Sequence, residues 1–179
     1  MKTLKKLTAL SIAVFAAATA NAKDITVKNA AGEQIVPQNP QKVVVLDFGV
    51  ADTIRALGDA GKIVGFPKAG HIPAYLVEFN QDKFKNVGTL PEPAFEAINE
   101  LNPDLIIAAP RQQKLLDKLK EIAPVFYVQN DYANYYPSFQ ENVTALGKIF
   151  NKDAVAKEKL DALENKVAQV AKDAKGKTA

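Results

Sequence analysis

Four short, unbroken apolar runs set the rhythm of the chain: residues 43–46 (Val-Val-Val-Leu), 63–66 (Ile-Val-Gly-Phe), 105–109 (Leu-Ile-Ile-Ala-Ala) and 125–128 (Val-Phe-Tyr-Val). The run at 105–109 shows no apolar–polar alternation, so it reads as a parallel strand covered on both faces, and the others are of the same kind. Helical spacing fills the gaps. Val50, Ile54 and Leu57 share one face, with Gly58 near the end. Phe95, Ile98 and Leu101 form the stripe of a helix whose first turn accommodates Pro93. Leu115, Leu116, Leu119 and Ile122 point inward from a helix over 112–122. This alternation predicts an α/β fold, a mainly parallel sheet flanked by helices in a Rossmann-like lobe, with right-handed crossovers.

The ends of the pattern differ from its middle. Two β-prone segments around a Gly-containing turn predict a hairpin over 24–36, and the Pro- and Gly-rich stretch 67–90 predicts one helical turn near 74–79. Ser138 and Glu141 have the spacing of a capping box, opening a helix with Phe139, Val143, Leu146 and Phe150 on one face. A second helix then runs from 153 to about 175, roughly 34 Å long. Its apolar residues, Leu160, Leu163, Val167, Val170 and Ala174, make a narrow seam that needs a partner along its length.

Composition adjusts this picture at the N-terminus. Lys2, Lys5 and Lys6 precede an apolar core at 7–18 and a small-residue site, Ala20-Asn21-Ala22, so residues 1–22 read as a signal peptide and the mature chain starts at Lys23. The 179 residues carry 23 basic and 20 acidic side chains; removing the three leader lysines leaves 20 of each. A nucleic-acid partner is therefore not expected. There is no cysteine, hence no lipobox anchor, and no later segment has the length of a membrane span. A freely diffusing periplasmic monomer without membrane insertion is the expectation.

Candidate chemistry is sparse. One histidine, His71, in a Gly/Pro-rich loop, and no cysteine leave no transition-metal set. No nucleophile elbow, zinc-protease pair or three-glycine phosphate loop is present. Arginine usage says more: against 21 lysines there are only Arg55, inside the first helix, and Arg111. Arg111 follows Pro110 at the carboxyl end of the 105–109 strand, where open α/β sheets bind ligands. Its planar fork suits an anionic ligand, and pairing with a nearby acid or with capping carbonyls fits its position equally well. Tyr132, Tyr135 and Tyr136 cluster after the last strand, able either to stack on an aromatic ligand or to pack the loop onto the sheet. Asp47, Phe48 and Phe66 share the same edge.

The sequence resembles the periplasmic ferric-siderophore-binding proteins of ABC importers, the helical-backbone class. The matching stretches are Pro40-Gln-Lys-Val-Val-Val-Leu-Asp, Val87-Gly-Thr-Leu-Pro-Glu-Pro, Glu96-Ala-Ile-Asn-Glu-Leu-Asn-Pro-Asp-Leu-Ile-Ile, Arg111-Gln-Gln-Lys and Asn142-Val-Thr-Ala-Leu-Gly. The resemblance implies two lobes joined by one long stiff helix, with the chelate in a shallow cleft between them. It implies no cofactor and no catalysis: the ligand is a ferric siderophore, of catecholate type by the Arg-Gln pair, and the partner is an inner-membrane ABC permease. Arg111 takes the place of a family arginine that meets the anionic chelate, with Gln112, Asp47, Phe48, Phe66, Tyr132 and Tyr135 as further contacts. Glu96 takes the place of a transporter-facing acid; it also suits a helix's first turn on dipole grounds alone. Pro110 stands where relatives more often carry Gly. The expected organisation is residues 23–150 as the first lobe and 151–179 as the connecting helix, with the second lobe absent. The rivals are a cobalamin- or haem-binding protein, an exported α/β enzyme, and an adaptor lobe without ligand.

Overall fold

A strand that offers water no polar side chain must be covered on both faces, and the sheet is built that way. The computed structural model describes residues 23–176; the leader expected at 1–22 lies outside the described residues. Strands β1 (Asp24–Asn29) and β2 (Gly32–Pro37) form an antiparallel hairpin. Strands β3 (Val43–Val45), β4 (Ile63–Phe66), β5 (Lys85–Asn86), β6 (Leu105–Ala108) and β7 (Val125–Tyr127) form one parallel sheet in the order β5-β4-β3-β6-β7. The helices are α1 (Phe48–Ala56), α2 (Phe95–Glu100), α3 (Leu116–Lys120), α4 (Tyr135–Ile149) and α5 (Asp153–Ala174).

Successive side chains of a strand point to opposite faces. Val43, Val45, Leu105, Ile107 and Phe126 accordingly pack with Val50 and Ile54 of α1 and Val143 and Leu146 of α4. Val44, Ile106 and Ala108 pack on the other side with Ile98 of α2 and Leu119 of α3. Each of these Val, Leu, Ile and Phe side chains, once buried, contributes about 1.5–3 kcal/mol. The outer edge of β7 is closed by the hairpin. The Gln34 carboxamide accepts from the Tyr127 N–H at 2.7 Å and donates to the Tyr127 carbonyl at 2.9 Å, doing with a side chain what a neighbouring strand does with its backbone.

Three elements depart from the pattern reading. Helix α2 begins at Phe95, so Pro93 lies outside it. Ala94 is extended and donates its N–H to the Val87 carbonyl at 2.9 Å, and Pro93 bridges to Gly88. The helix expected over 112–122 is a 3-10 turn, Pro110–Leu115, followed by the single short α3. Helix α4 starts at Tyr135, so the capping box does not form: the Ser138 hydroxyl instead accepts from the Asp131 N–H and donates to the Tyr135 carbonyl, both at 2.9 Å. Helix α5 matches its expected span. Its first turns pack on α4, where Ala156 lies against Gly147, but Leu163, Val167 and Val170 further along stay exposed among the described residues. No described helix is long and apolar enough to cross a membrane.

Candidate functional site

Because all five strands run the same way, their carboxyl ends share one edge, and the loops leaving that edge carry the candidate residues. The chain passes outward from β3 to β4 in one direction and from β6 to β7 in the other. The winding therefore reverses between the adjacent strands β3 and β6, the place where ligands of open α/β sheets bind. Asp47 leaves the sheet on one side of that point and Arg111 on the other.

The two arginines differ sharply in what holds them. Arg55 donates to the Tyr75 carbonyl at 2.9 Å, pairs with Asp52 and reaches Glu78 at 3.9 Å, which ties α1 to the 3-10 turn Ala74–Asn80. The Arg111 side chain is exposed and has no ion pair or hydrogen bond among the described residues. Its fork is unspent.

Asp47 is half-buried and caps α1, accepting from the Val50 N–H at 3.0 Å. Phe48 opens α1 and stacks on Phe66 at 5.2 Å between ring centres. Phe66, expected to touch ligand, is fully buried, sandwiched between Phe48 and Phe79; it supports the edge from beneath. Gln112 is likewise turned inward. At 0% exposure its Oε1 accepts from the Ala109 N–H at 2.9 Å and its Nε2 donates to the Leu90 carbonyl, so the amide is spent on backbone beneath the surface. Tyr132 and Tyr135 are 85% and 54% exposed, so neither packs the loop onto the sheet. Tyr136 is half-buried and stacks beside Phe139 of the same helix, its hydroxyl buried and unpartnered among the described residues.

A groove of about 210 Å³ between the starts of α1 and α4 brings Asp47 and Tyr135 together with Thr53, Asn130 and Asn142 over an apolar floor that includes Phe139 and Val143. Arg111 and Tyr132 stand on the same sheet edge outside that groove. Asn142 is part of a buried network that the sequence reading missed, for isolated asparagines give no periodic signal. Its Nδ2 donates to the Gln129 carbonyl and to Asn130 Oδ1, and its Oδ1 accepts from Asn29. Asn29 in turn donates to the Tyr127 carbonyl and accepts from the Ala31 N–H and Gln34. The network fastens the loop after β7 to the N-terminal hairpin. In that loop Asp131 accepts from the Asn134 side chain and the Ala133 N–H, which lowers its pKa.

Glu96 is exposed in the first turn of α2, which has no side-chain cap. It borders a groove between α2 and α3, with Phe95, Asn99, Lys118, Glu121 and Ile122. His71 is exposed in its loop, and no group of three or more His, Cys, Asp or Glu suited to a metal occurs among the described residues.

A family model described as periplasmic binding protein matches residues 43–179. The chain belongs to the periplasmic binding protein family. This family member is 42% identical over 139 residues to the petrobactin-binding protein YclQ of Bacillus subtilis (strain 168), spanning 78% of the chain and 44% of that protein. The crystal structure of YclQ superposes with a TM-score of 0.82 at 41% identity, over 86% of this chain and 54% of that one. The iron uptake ABC transporter substrate-binding protein PiuA of Streptococcus pneumoniae gives a TM-score of 0.80 at 41% identity, over 86% and 54%. The periplasmic catecholate-siderophore binding protein VctP of Vibrio cholerae gives 0.77 at 30% identity, over 86% and 55%. The chain spans about half the length of the relatives it matches.

Proposed function

We propose that this periplasmic binding protein lobe captures an iron(III)–siderophore chelate of catecholate type and presents it, chemically unchanged, to an inner-membrane ABC permease. The observation that carries the reading is Arg111: an exposed guanidinium with no partner among the described residues, at the point where the sheet's winding reverses. An anionic ferric catecholate is what such a fork would bind. Asp47, Phe48, Tyr132 and Tyr135 would line the same edge, with Gln112 and Phe66 behind it. Glu96 would meet the transporter. Iron here is cargo, and the protein needs no cofactor and works as a non-enzymatic monomer in the periplasm after cleavage following Ala22.

The likeness to YclQ, a petrobactin-binding protein, and to VctP, a catecholate-siderophore binding protein, supports the ligand class, and that to PiuA supports iron uptake; the greater length of these relatives supports a two-lobed whole protein in which α5 connects the lobes. The exposed seam of α5 agrees with that arrangement. The test is a titration of ferric catecholate, with haem and cobalamin as competitors, into the protein carrying both lobes and into residues 23–179 alone. Hydrogen bonds to a charged group are worth about 1.5–3 kcal/mol each. Arg111→Ala should therefore weaken ferric catecholate about ten- to a hundredfold in the two-lobed protein. Arg111→Lys should recover part, keeping charge without the planar fork. The short chain should bind weakly. Tighter binding of haem or cobalamin than of ferric catecholate would refute the ligand class, and no effect of Arg111→Ala would return that residue to loop structure.

A further inference from the structure

Between Ala109 and Gln112 the chain makes one tight four-residue turn, and it is locked twice. The Gln112 N–H donates to the Ala109 carbonyl at 2.9 Å, and the Gln112 side-chain oxygen accepts from the Ala109 N–H at 2.9 Å. Pro110, inside the turn, has a fixed φ. Ala109 is 4% exposed and Gln112 is fully buried, so water does not compete for these groups. Arg111 is left as the side chain of the turn that carries charge to the surface.

The other end of the carboxamide reaches further. Its Nε2 donates to the Leu90 carbonyl, in the loop after β5, although β4 and β3 separate β5 from β6 in the sheet. That loop is stiff in its own right. The Thr89 N–H donates to the Glu92 carbonyl at 3.0 Å and the Glu92 N–H to the Thr89 hydroxyl at 3.0 Å. Gly88 holds φ +94, and a Cβ there would lie 2.5 Å from the Glu92 carbonyl oxygen. The turn bearing Arg111 is thus clamped to a rigid neighbour.

We infer that Gln112 is a positioning residue: its buried carboxamide fixes the turn that aims Arg111, and it acts on ligand only through that arginine. The inference rests on the ligand role proposed for Arg111. Fork geometry makes a guanidinium more sensitive to placement than a point charge, because its donors are directional.

Two variants test it in the two-lobed protein, with the ferric complex of a synthetic hexadentate tris-catecholate as probe. Gln112→Met keeps the volume and removes both side-chain hydrogen bonds. Gln112→Glu restores both when protonated, since its carboxyl O–H can donate to Leu90 while its carbonyl accepts from Ala109. Burial raises a carboxyl pKa, so the protonated form should grow between about pH 8 and about pH 6. Gln112→Met should weaken the probe about tenfold when Arg111 is present and less than about twofold in an Arg111→Ala background, a coupling that a purely structural defect would not produce. Gln112→Glu should regain affinity on acidification relative to the unaltered protein at the same pH. This arm stands even if Gln112→Met does not fold. Equal losses with and without Arg111, no loss, or a pH-insensitive Gln112→Glu would each overturn the inference. Failure of the unaltered protein to bind the probe, or no effect of Arg111→Ala, would instead remove the ligand reading beneath it and the inference with it.

Discussion

Replacing Asn142 with leucine tests whether the buried amide network holds the loop after β7. The side chain is 4% exposed and makes three hydrogen bonds, to Asn29, the Gln129 carbonyl and Asn130. Leucine fills a similar volume but returns none of them. Asn29 keeps its bond to the Tyr127 carbonyl, yet its second N–H then faces a methyl group. At 2% exposure no water reaches Asn29, and one buried unpaired donor costs about 1–3 kcal/mol. Gln129 and Asn130 are half-buried and can rehydrate, so each loses only the net ~0.5–1.5 kcal/mol of an ordinary hydrogen bond. About 4 kcal/mol in total is the expectation, read by urea unfolding. At about 2–4 °C per kcal/mol for a chain of this size, melting should fall by roughly 8–16 °C. The double variant with Asn29→Leu removes donor and acceptor together and should cost at least about 1 kcal/mol less than the two single losses combined. A single loss below about 1 kcal/mol, or strict additivity, would refute the reasoning.

Four other outcomes follow. Glu96→Ala should impair transporter-dependent uptake while leaving chelate binding intact; in unfolding it should cost no more than the ~0.3–1 kcal/mol of a first-turn carboxylate, and a larger loss would make Glu96 structural. Gly88→Ala forces a Cβ onto the Glu92 carbonyl at a positive φ and should destabilise by at least about 1–3 kcal/mol in denaturant titration, whereas a neutral result would mean the loop relaxes freely. Asp131 has a lowered folded pKa, chiefly through its Asn134 hydrogen bond, so its stabilisation is complete above the unfolded value of about 3.9 and is lost as pH falls through the folded pKa. Asp131→Asn should flatten the acid limb of the stability–pH curve. Burial raises the pKa of Tyr127, so its contribution fades as pH climbs past about 10, and Tyr127→Phe should flatten the alkaline limb.

The sheet was legible because its central strands are buried on both faces and could be nothing but apolar. Strand β5 was not, since Lys85 and Asn86 are exposed and polar, and their pairing is set by the backbones of Gly65 and Phe66. The early start of α4 escaped because Ser138 has the chemistry of a cap but is spent inside the helix on the Tyr135 carbonyl. At the site, scarcity and position singled out Arg111. Gln112 entered with it through the Arg-Gln pair of the family resemblance, but a 3-10 turn has three residues per turn and sends adjacent side chains about 120° apart. One faces solvent and the other the core. Phe66 ends its strand on the carboxyl edge of the sheet, yet Phe48 and Phe79 enclose it, a long-range fact that strand pattern does not carry.

The Gln34 side chain, paired with both backbone polar groups of Tyr127 across 93 positions of sequence, bears on how the chain avoids self-association while it folds. Until the hairpin docks, β7 offers an open flank of N–H and carbonyl groups to which any extended segment can add. A full extra strand would cover that flank but would create a new one of its own. A single carboxamide ends the series instead: it satisfies the backbone at one point and presents no further row of donors beyond itself. Protection of the flank requires a contact across more than ninety residues, which carries the loop-closure cost of a non-local pairing. Conditions that slow hairpin docking should therefore favour aggregates seeded at β7 over simple unfolding.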